Sequence, residues 1–163
     1  MNRVQLDVTG QTLASPSIVY ELAKDSSGYP RWSRIGSFEH VRSGRDEPYG
    51  VGSVRIFRTW PLKIVEEVVD LVPERRVSYI VHRGLPFRDY RADIELKPGA
   101  DGGTTICWQC SFYPTVPGTG FLCRAFMHRV LTEMMPALIA EAERVERSSR
   151  GSTDDGKGPR SDG

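Results

Sequence analysis

At 163 residues the chain has the length of one domain and enough material to bury a core. Its content, 39% hydrophobic and 26% charged, is that of a globular protein in water, and a net charge of +1 supplies no bulk field for nucleic acid or an anionic bilayer. No apolar run reaches the length of a membrane span, and the first residues run straight into strand pattern without a signal-peptide core, so a cytoplasmic protein without integral membrane association is expected.

In chain order, Val4, Leu6 and Val8 alternate with polar residues and predict a first strand. Ser15 reads as an N-cap with Pro16 at the first helical position, and Ile18, Val19, Leu22 and Ala23 give that helix a short apolar face. Gly28 and Pro30 end it or start a second short helix, and Tyr29-Pro30-Arg31-Trp32 forms an elbow. Alternation then predicts strands over 35–43, 51–59, 63–72, 75–83, 88–97 and 104–113, with turn chemistry at 45–50, at Trp60-Pro61-Leu62, at Pro73-Glu74 and over 98–103. Connections this short imply antiparallel pairing.

A proline- and glycine-rich loop, Pro114 to Gly120, precedes a long helix ending near Arg147. Its stripe of Cys123, Met127, Leu131, Met134, Leu138, Ala142 and Val145 has gaps of 4, 4, 3, 4, 4 and 3, which is helical spacing. Pro136 falls opposite the stripe and predicts a bend toward the sheet. Residues 148–163 are rich in Gly, Ser and Asp and are expected to be a disordered tail. The expected fold class is α+β, one domain over 1–147 in the order β-α-α-β-β-β-β-β-β-α. A curved antiparallel sheet wraps around the last helix and leaves an internal cavity, because one helix cannot fill a strongly concave face.

The three cysteines do not make a disulfide framework. Cys107 and Cys110 form a CxxC, but on a strand residues three apart face opposite ways. His40, His82 and His128 are scattered, so neither a metal nor a cofactor is expected. No GxSxG motif supplies a nucleophile.

Several pieces carry a resemblance: Ala14-Ser15-Pro16, the Asp25 to Trp32 elbow, Gly50-Val51-Gly52-Ser53-Val54-Arg55, Glu66-Glu67-Val68-Val69, Pro73-Glu74-Arg75-Arg76-Val77-Ser78-Tyr79 and Gly102-Gly103-Thr104-Thr105-Ile106-Cys107-Trp108. In this order and spacing, over residues 3–147, the chain resembles the START-like (SRPBCC) superfamily in its polyketide cyclase/dehydrase branch. The resemblance implies a helix-grip fold with a hydrophobic cavity and leaves the ligand open, since members range from lipid carriers to aromatase/cyclases and co-chaperone modules.

Strand parity locates the cavity wall. With Trp108 inward, the same face carries Ile106, Cys110 and Phe112, then Tyr90, Ala92, Ile94 and Leu96, then Val77, Tyr79 and Val81. It continues through Val65, Glu67, Val69 and Leu71 to Arg55 and Phe57. A hairpin centred on Pro61 sets Arg55 opposite Glu67, and one centred on Pro73 sets Glu67 opposite Tyr79. The expected ligand-binding set is therefore Arg55, Phe57, Glu67, Tyr79, Tyr90 and Trp108 from the sheet, with Met127, Leu131 and Met134 from the helix. Three readings of the Arg55–Glu67–Tyr79 row stand together: a ladder fixing a ligand's polar head, a structural ion pair touching no ligand, or an Arg55 that faces water. Trp60 reads as a packing aromatic, and Trp32 as closing one end of the core. Leu85-Pro86-Phe87 and the loop over 114–118 read as the cavity mouth or plain connections, and Arg124 as an anion contact there or a solvated side chain.

The expected function is binding of a small hydrophobic molecule (lipid, isoprenoid or polyketide-like) in this cavity. The alternative is a polyketide aromatase/cyclase or dehydratase using Glu67, Tyr79 or Arg55 as its acid or base. An interaction module working through its outer surface is the third reading.

Overall fold

The computed structural model describes residues 2–154. β1 (Val4–Thr12) leads into α1 (Pro16–Lys24), a 3-10 turn (Ser26–Gly28) and the one-turn helix α2 (Tyr29–Trp32). Six strands follow: β2 (Ser37–Arg42), β3 (Val54–Thr59), β4 (Leu62–Val72), β5 (Arg76–Arg83), β6 (Phe87–Pro98) and β7 (Thr104–Pro114). α3 (Gly120–Asp154) comes last. The seven strands form one antiparallel sheet in the order β1-β7-β6-β5-β4-β3-β2. This is the expected α+β helix grip.

The local chemistry explains the turn out of β1. Ser15 is extended at the N-cap of α1 with Pro16 in the first turn. Its side chain makes no cap; its N–H instead donates to Glu146 Oε2 of α3 at 3.1 Å, and Thr12 Oγ1 donates to Glu143 Oε1 at 3.1 Å. The helix start is thus tied to the far end of the chain. Asp25 then accepts from the Ser27 N–H at 3.0 Å and nucleates the 3-10 turn.

α3 lies along β1 and β7 and against α1 and α2. Its expected stripe faces inward, with Met127, Leu131, Leu138 and Ala142 buried and Pro136 on the exposed side. The helix does not stop at Arg147. Ser148 and Ser149 donate their hydroxyls to the Arg144 and Val145 carbonyls, 3.0 and 3.1 Å away, and Arg150 pairs with Glu146 at 3.2 Å. The helix runs on to Asp154 through residues whose composition reads as tail, and the Arg150–Glu146 pair spans one of its turns there. The remainder of the expected tail, 155–163, lies outside the described residues.

Parity is obeyed on β3, β5, β6 and β7, where Phe57, Tyr79, Tyr90, Ala92, Ile94, Leu96, Ile106, Trp108, Cys110 and Phe112 are buried. It fails on β4. Glu66 and Val68 are the buried residues there, not Glu67 and Val69. Two causes combine. The β3–β4 loop is only Trp60-Pro61, flanked by the pair Thr59 and Leu62, so Arg55 stands opposite Glu66. An extra residue, Val69, then bulges out of β4 between the pairs Val68–Tyr79 and Asp70–Ser78, which returns Leu71 to the inner face beside the core.

Candidate functional site

The sheet curls away from α3 on its β3–β5 side and leaves a cavity of about 540 Å³, within the usual range for small-molecule pockets. The helix contributes Phe126, Met127, Val130, Leu131, Met134 and Ala137. Across from them stand Phe57, Ile64, Tyr79, Val81, Tyr90 and Trp108, while Tyr29, Trp32, Ile35, Leu62 and Leu85 complete the lining at the elbow and the hairpin tips. The rim carries the exposed Arg31, Arg34 and Glu133, with Arg34 and Glu133 3.8 Å apart.

One polar cluster interrupts this apolar wall. The Arg55 side chain is 2% exposed and its Nε donates to Glu66 Oε2 at 3.1 Å. Its Nη1 donates to the Ser26 hydroxyl and to the Lys24 carbonyl, 3.4 Å away at the C-terminal end of α1, where the helix dipole favours a cation. The guanidinium also lies 5.4 Å from the centroids of both Phe57 and Tyr79. Beside it, Trp108 Nε1 donates to the Tyr79 hydroxyl at 3.1 Å. Tyr29 stacks on Phe57 with centroids 5.5 Å apart and donates its hydroxyl to the Ala23 carbonyl at 2.9 Å, which fixes the elbow behind the cluster.

Burial sets the proton affinities. It pushes the Glu66 carboxyl above the usual carboxylate range, against the opposing charge and hydrogen bond of Arg55. It also pushes the Tyr79 hydroxyl well above its ordinary value, helped by the Glu66 charge, and does the same to Tyr90 with Tyr79 as its neighbour. Both phenols therefore stay protonated. Cys110, buried beside Tyr90, has its thiol raised to about 11 and is no nucleophile at neutral pH.

Of the residues expected at the site, Arg55, Phe57, Tyr79, Tyr90, Trp108, Met127, Leu131 and Met134 all line the cavity. Glu67 does not. It lies on the outer face, 3.3 Å from Arg42 and 2.8 Å from His82, and Glu66 takes the place assigned to it. Ser26 is the other polar residue that strand reasoning missed, because it reaches Arg55 from the turn after α1. One further expectation is corrected. Trp60 is 94% exposed at the hairpin tip rather than packed. Of the two readings of the loops, the one over 114–118 is a plain connection that contributes nothing to the lining, whereas Leu85 lines the cavity. Of the two readings of Arg124, the solvated one holds: it is exposed, lies away from the cavity and donates to the Gln5 carbonyl on β1. Trp32 lines the cavity more fully than its core-closing role implied, and its Nε1 is a buried donor with no acceptor among the described residues. Those residues also hold no group of three or more His, Cys, Asp or Glu side chains placed for a metal ion.

A curved sheet gripping one helix around an apolar cavity defines the helix-grip fold. Residues 3–143 match the family described as polyketide cyclase/dehydrase and lipid transport, and the chain belongs to that family. No curated protein matches the sequence. Among solved structures, a START superfamily protein from Mycobacterium smegmatis superposes with a TM-score of 0.76 at 14% identity, covering 86% of this chain and 98% of that one. XoxI from Bacillus cereus superposes with a TM-score of 0.70 at 20% identity, covering 90% of this chain and 99% of that one. Ara h 8.0201 gives 0.68 at 14% identity, over 90% and 99% of the two chains. At these identities the structural likeness establishes the fold. Family and fold together point to hydrophobic ligand binding. No helix among the described residues is long and apolar enough to cross a membrane.

Proposed function

We propose that the protein binds one small apolar molecule, of lipid, isoprenoid or polyketide type, inside the cavity. Its polar end meets Arg55, Glu66 and Tyr79, and its apolar body lies against Phe57, Tyr90, Trp108, Met127, Leu131 and Met134. The observation that carries this reading is a cavity of about 540 Å³ whose apolar wall holds one buried polar cluster. Three free cysteines fit work in the reducing cytoplasm. The test is Nile red, an uncharged fluorophore that brightens in apolar surroundings. Saturable binding of one dye per chain is expected. Ala137→Trp, which fills the cavity from α3, should weaken it about tenfold or more, whereas Ala140→Trp on the exposed side should not. Unsaturable binding, or equal effects of the two variants, defeats the reading.

A second reading, ring closure or dehydration of a polyketide-like chain, is favoured by one observation. Glu66 lines the cavity with a carboxyl held above the usual range, as an acid or base working near neutral pH requires. The cavity would fold the flexible chain into a reactive conformation. Incubation with a poly-β-ketone mimic checks it: identical product distributions from wild type, Glu66→Gln and Tyr79→Phe reject catalysis by this wall.

A further inference from the structure

We infer that the polar end of the cavity selects an uncharged carbonyl or hydroxyl and turns away carboxylates. The inference rests on the binding reading above and specifies its ligand class. An unpaired buried guanidinium would be a carboxylate trap, since Arg offers a planar fork of donors matched to that anion. Arg55 is not unpaired. Glu66 neutralises it at 3.1 Å, and Ser26 and the Lys24 carbonyl take its Nη1. The neighbouring cation is also committed elsewhere, because Lys24 Nζ points to Glu47 at 3.0 Å and Glu21 at 3.2 Å. The wall therefore has one positive and one negative charge. A ligand carboxylate entering it would place a second anion beside Glu66 in an apolar surrounding, where a charge without its own partner is heavily penalised.

What the wall leaves open is neutral chemistry. The Tyr79 oxygen already accepts from Trp108 at 3.1 Å, and among the described residues no acceptor takes its proton. Glu66 uses Oε2 for Arg55, and no donor among the described residues reaches its Oε1. The lining thus offers two unpartnered neutral donors, the Tyr79 hydroxyl and Trp32 Nε1, and one open acceptor, Glu66 Oε1. Donor and acceptor together suit a hydroxyl, and a donor alone suits a ketone. The rim guanidiniums of Arg31 and Arg34 are both exposed, Arg34 to 85%, so they are too well solvated to hold an anion strongly.

The experiment displaces Nile red with 2-naphthylmethanol, 2-acetonaphthone and 2-naphthoate at pH 7.5. These share one aromatic body and differ in the polar end. The deciding quantity is how the preference for the neutral pair over naphthoate changes between wild type and Glu66→Gln, which cancels the different solubilities. The preference should shrink about tenfold or more in Glu66→Gln, because Arg55 then lacks its counter-charge. An unchanged preference overturns the inference, as does naphthoate binding lost in Arg34→Ala but indifferent to Glu66→Gln. If Glu66→Gln does not fold by circular dichroism, Tyr79→Phe decides: the neutral ligands should weaken about fivefold while naphthoate does not, and equal weakening of all three overturns the inference. Nile red that stays bound against all three overturns the selectivity but leaves the cavity reading standing. A folded wild type that never binds Nile red refutes the cavity reading itself.

Discussion

The β1–β7 half and the β3–β5 half belong to one antiparallel sheet, yet α3 fills only the first. Along β1, α3 comes so close that a Cβ on Gly10 would sit 2.8 Å from Ile139 Cδ1 and 2.9 Å from Met135 Cγ. Beyond it, Leu6, Ile106, Leu138 and Ala142 are at most 5% exposed and purely apolar. On the β3–β5 side the sheet curls away, the helix does not follow, and the inner face carries Arg55, Glu66 and Tyr79. Two adjacent methionines mark the border: Met135 packs under Gly10, while Met134 lines the cavity. The difference teaches that charge on an inner face here follows the absence of the helix. Where α3 packs onto the strands, the buried polar atoms are strand-end hydroxyls with partners close by, Thr12 on Glu143 and Thr104 on the Ala14 carbonyl; where a space remains, a neutralised pair and a phenol can stand in its wall.

The largest effect should come from breaking the pair that distinguishes the open half. Glu66→Ala strands Arg55 in the wall and should cost about 3–5 kcal/mol in urea or guanidinium denaturation. Glu67→Ala, one residue along and paired on the outer face, should cost less than about 1 kcal/mol. Equal losses would mean that both carboxylates share one environment.

Next comes packing. Leu138→Ala opens a void in the filled half and should cost about 2–5 kcal/mol. Met134→Ala removes a half-buried chain beside space that is already empty, so about 1 kcal/mol is expected, and Nile red affinity should respond more than stability does. Gly10→Ala falls between them at about 1–3 kcal/mol, since the ends of Ile139 and Met135 must shift to admit the methyl. A thermal melt that ranked Met134→Ala above Leu138→Ala would remove the distinction between the halves.

The same contrast governs what could be read from the sequence. Alternation and helical spacing locate every strand and the helix stripe, and they place Arg55, Phe57, Tyr79, Tyr90 and Trp108 on one face. They do not resolve β4, because Glu66-Glu67-Val68-Val69 is a doubled pattern that reads equally well in either parity. The two-residue turn and the bulge at Val69 decide between them, and neither leaves a period in the sequence. Ser26 was illegible for a different reason. Its partner is 29 positions away on another element, so only the tertiary fold brings the two together. The exposure of Trp60 was hidden by composition, since aromatic side chains are far more often buried than carried at a hairpin tip.

The smallest effect is a pH dependence of opposite sign in two carboxylates. Glu146, on α3, has its carboxyl lowered, chiefly by the Ser15 backbone N–H. The unfolded chain then binds its proton more tightly than the folded protein does. Its contribution to stability is present above the ordinary carboxylate value of about 4.3 and is lost as pH falls through the lowered one. Glu66 is raised, chiefly by burial, with Arg55 opposing. Here the folded protein holds the proton more tightly, so the contribution is complete below about 4.3 and is lost as pH rises through the raised value. Thermal melts from pH 4.5 upward should therefore show wild type losing stability relative to Glu66→Gln, which has no proton to release. Parallel profiles would place the Glu66 carboxyl in water and undo the contrast between the two halves, because a solvated carboxylate in the β4 wall would be no different from one on the surface of α3.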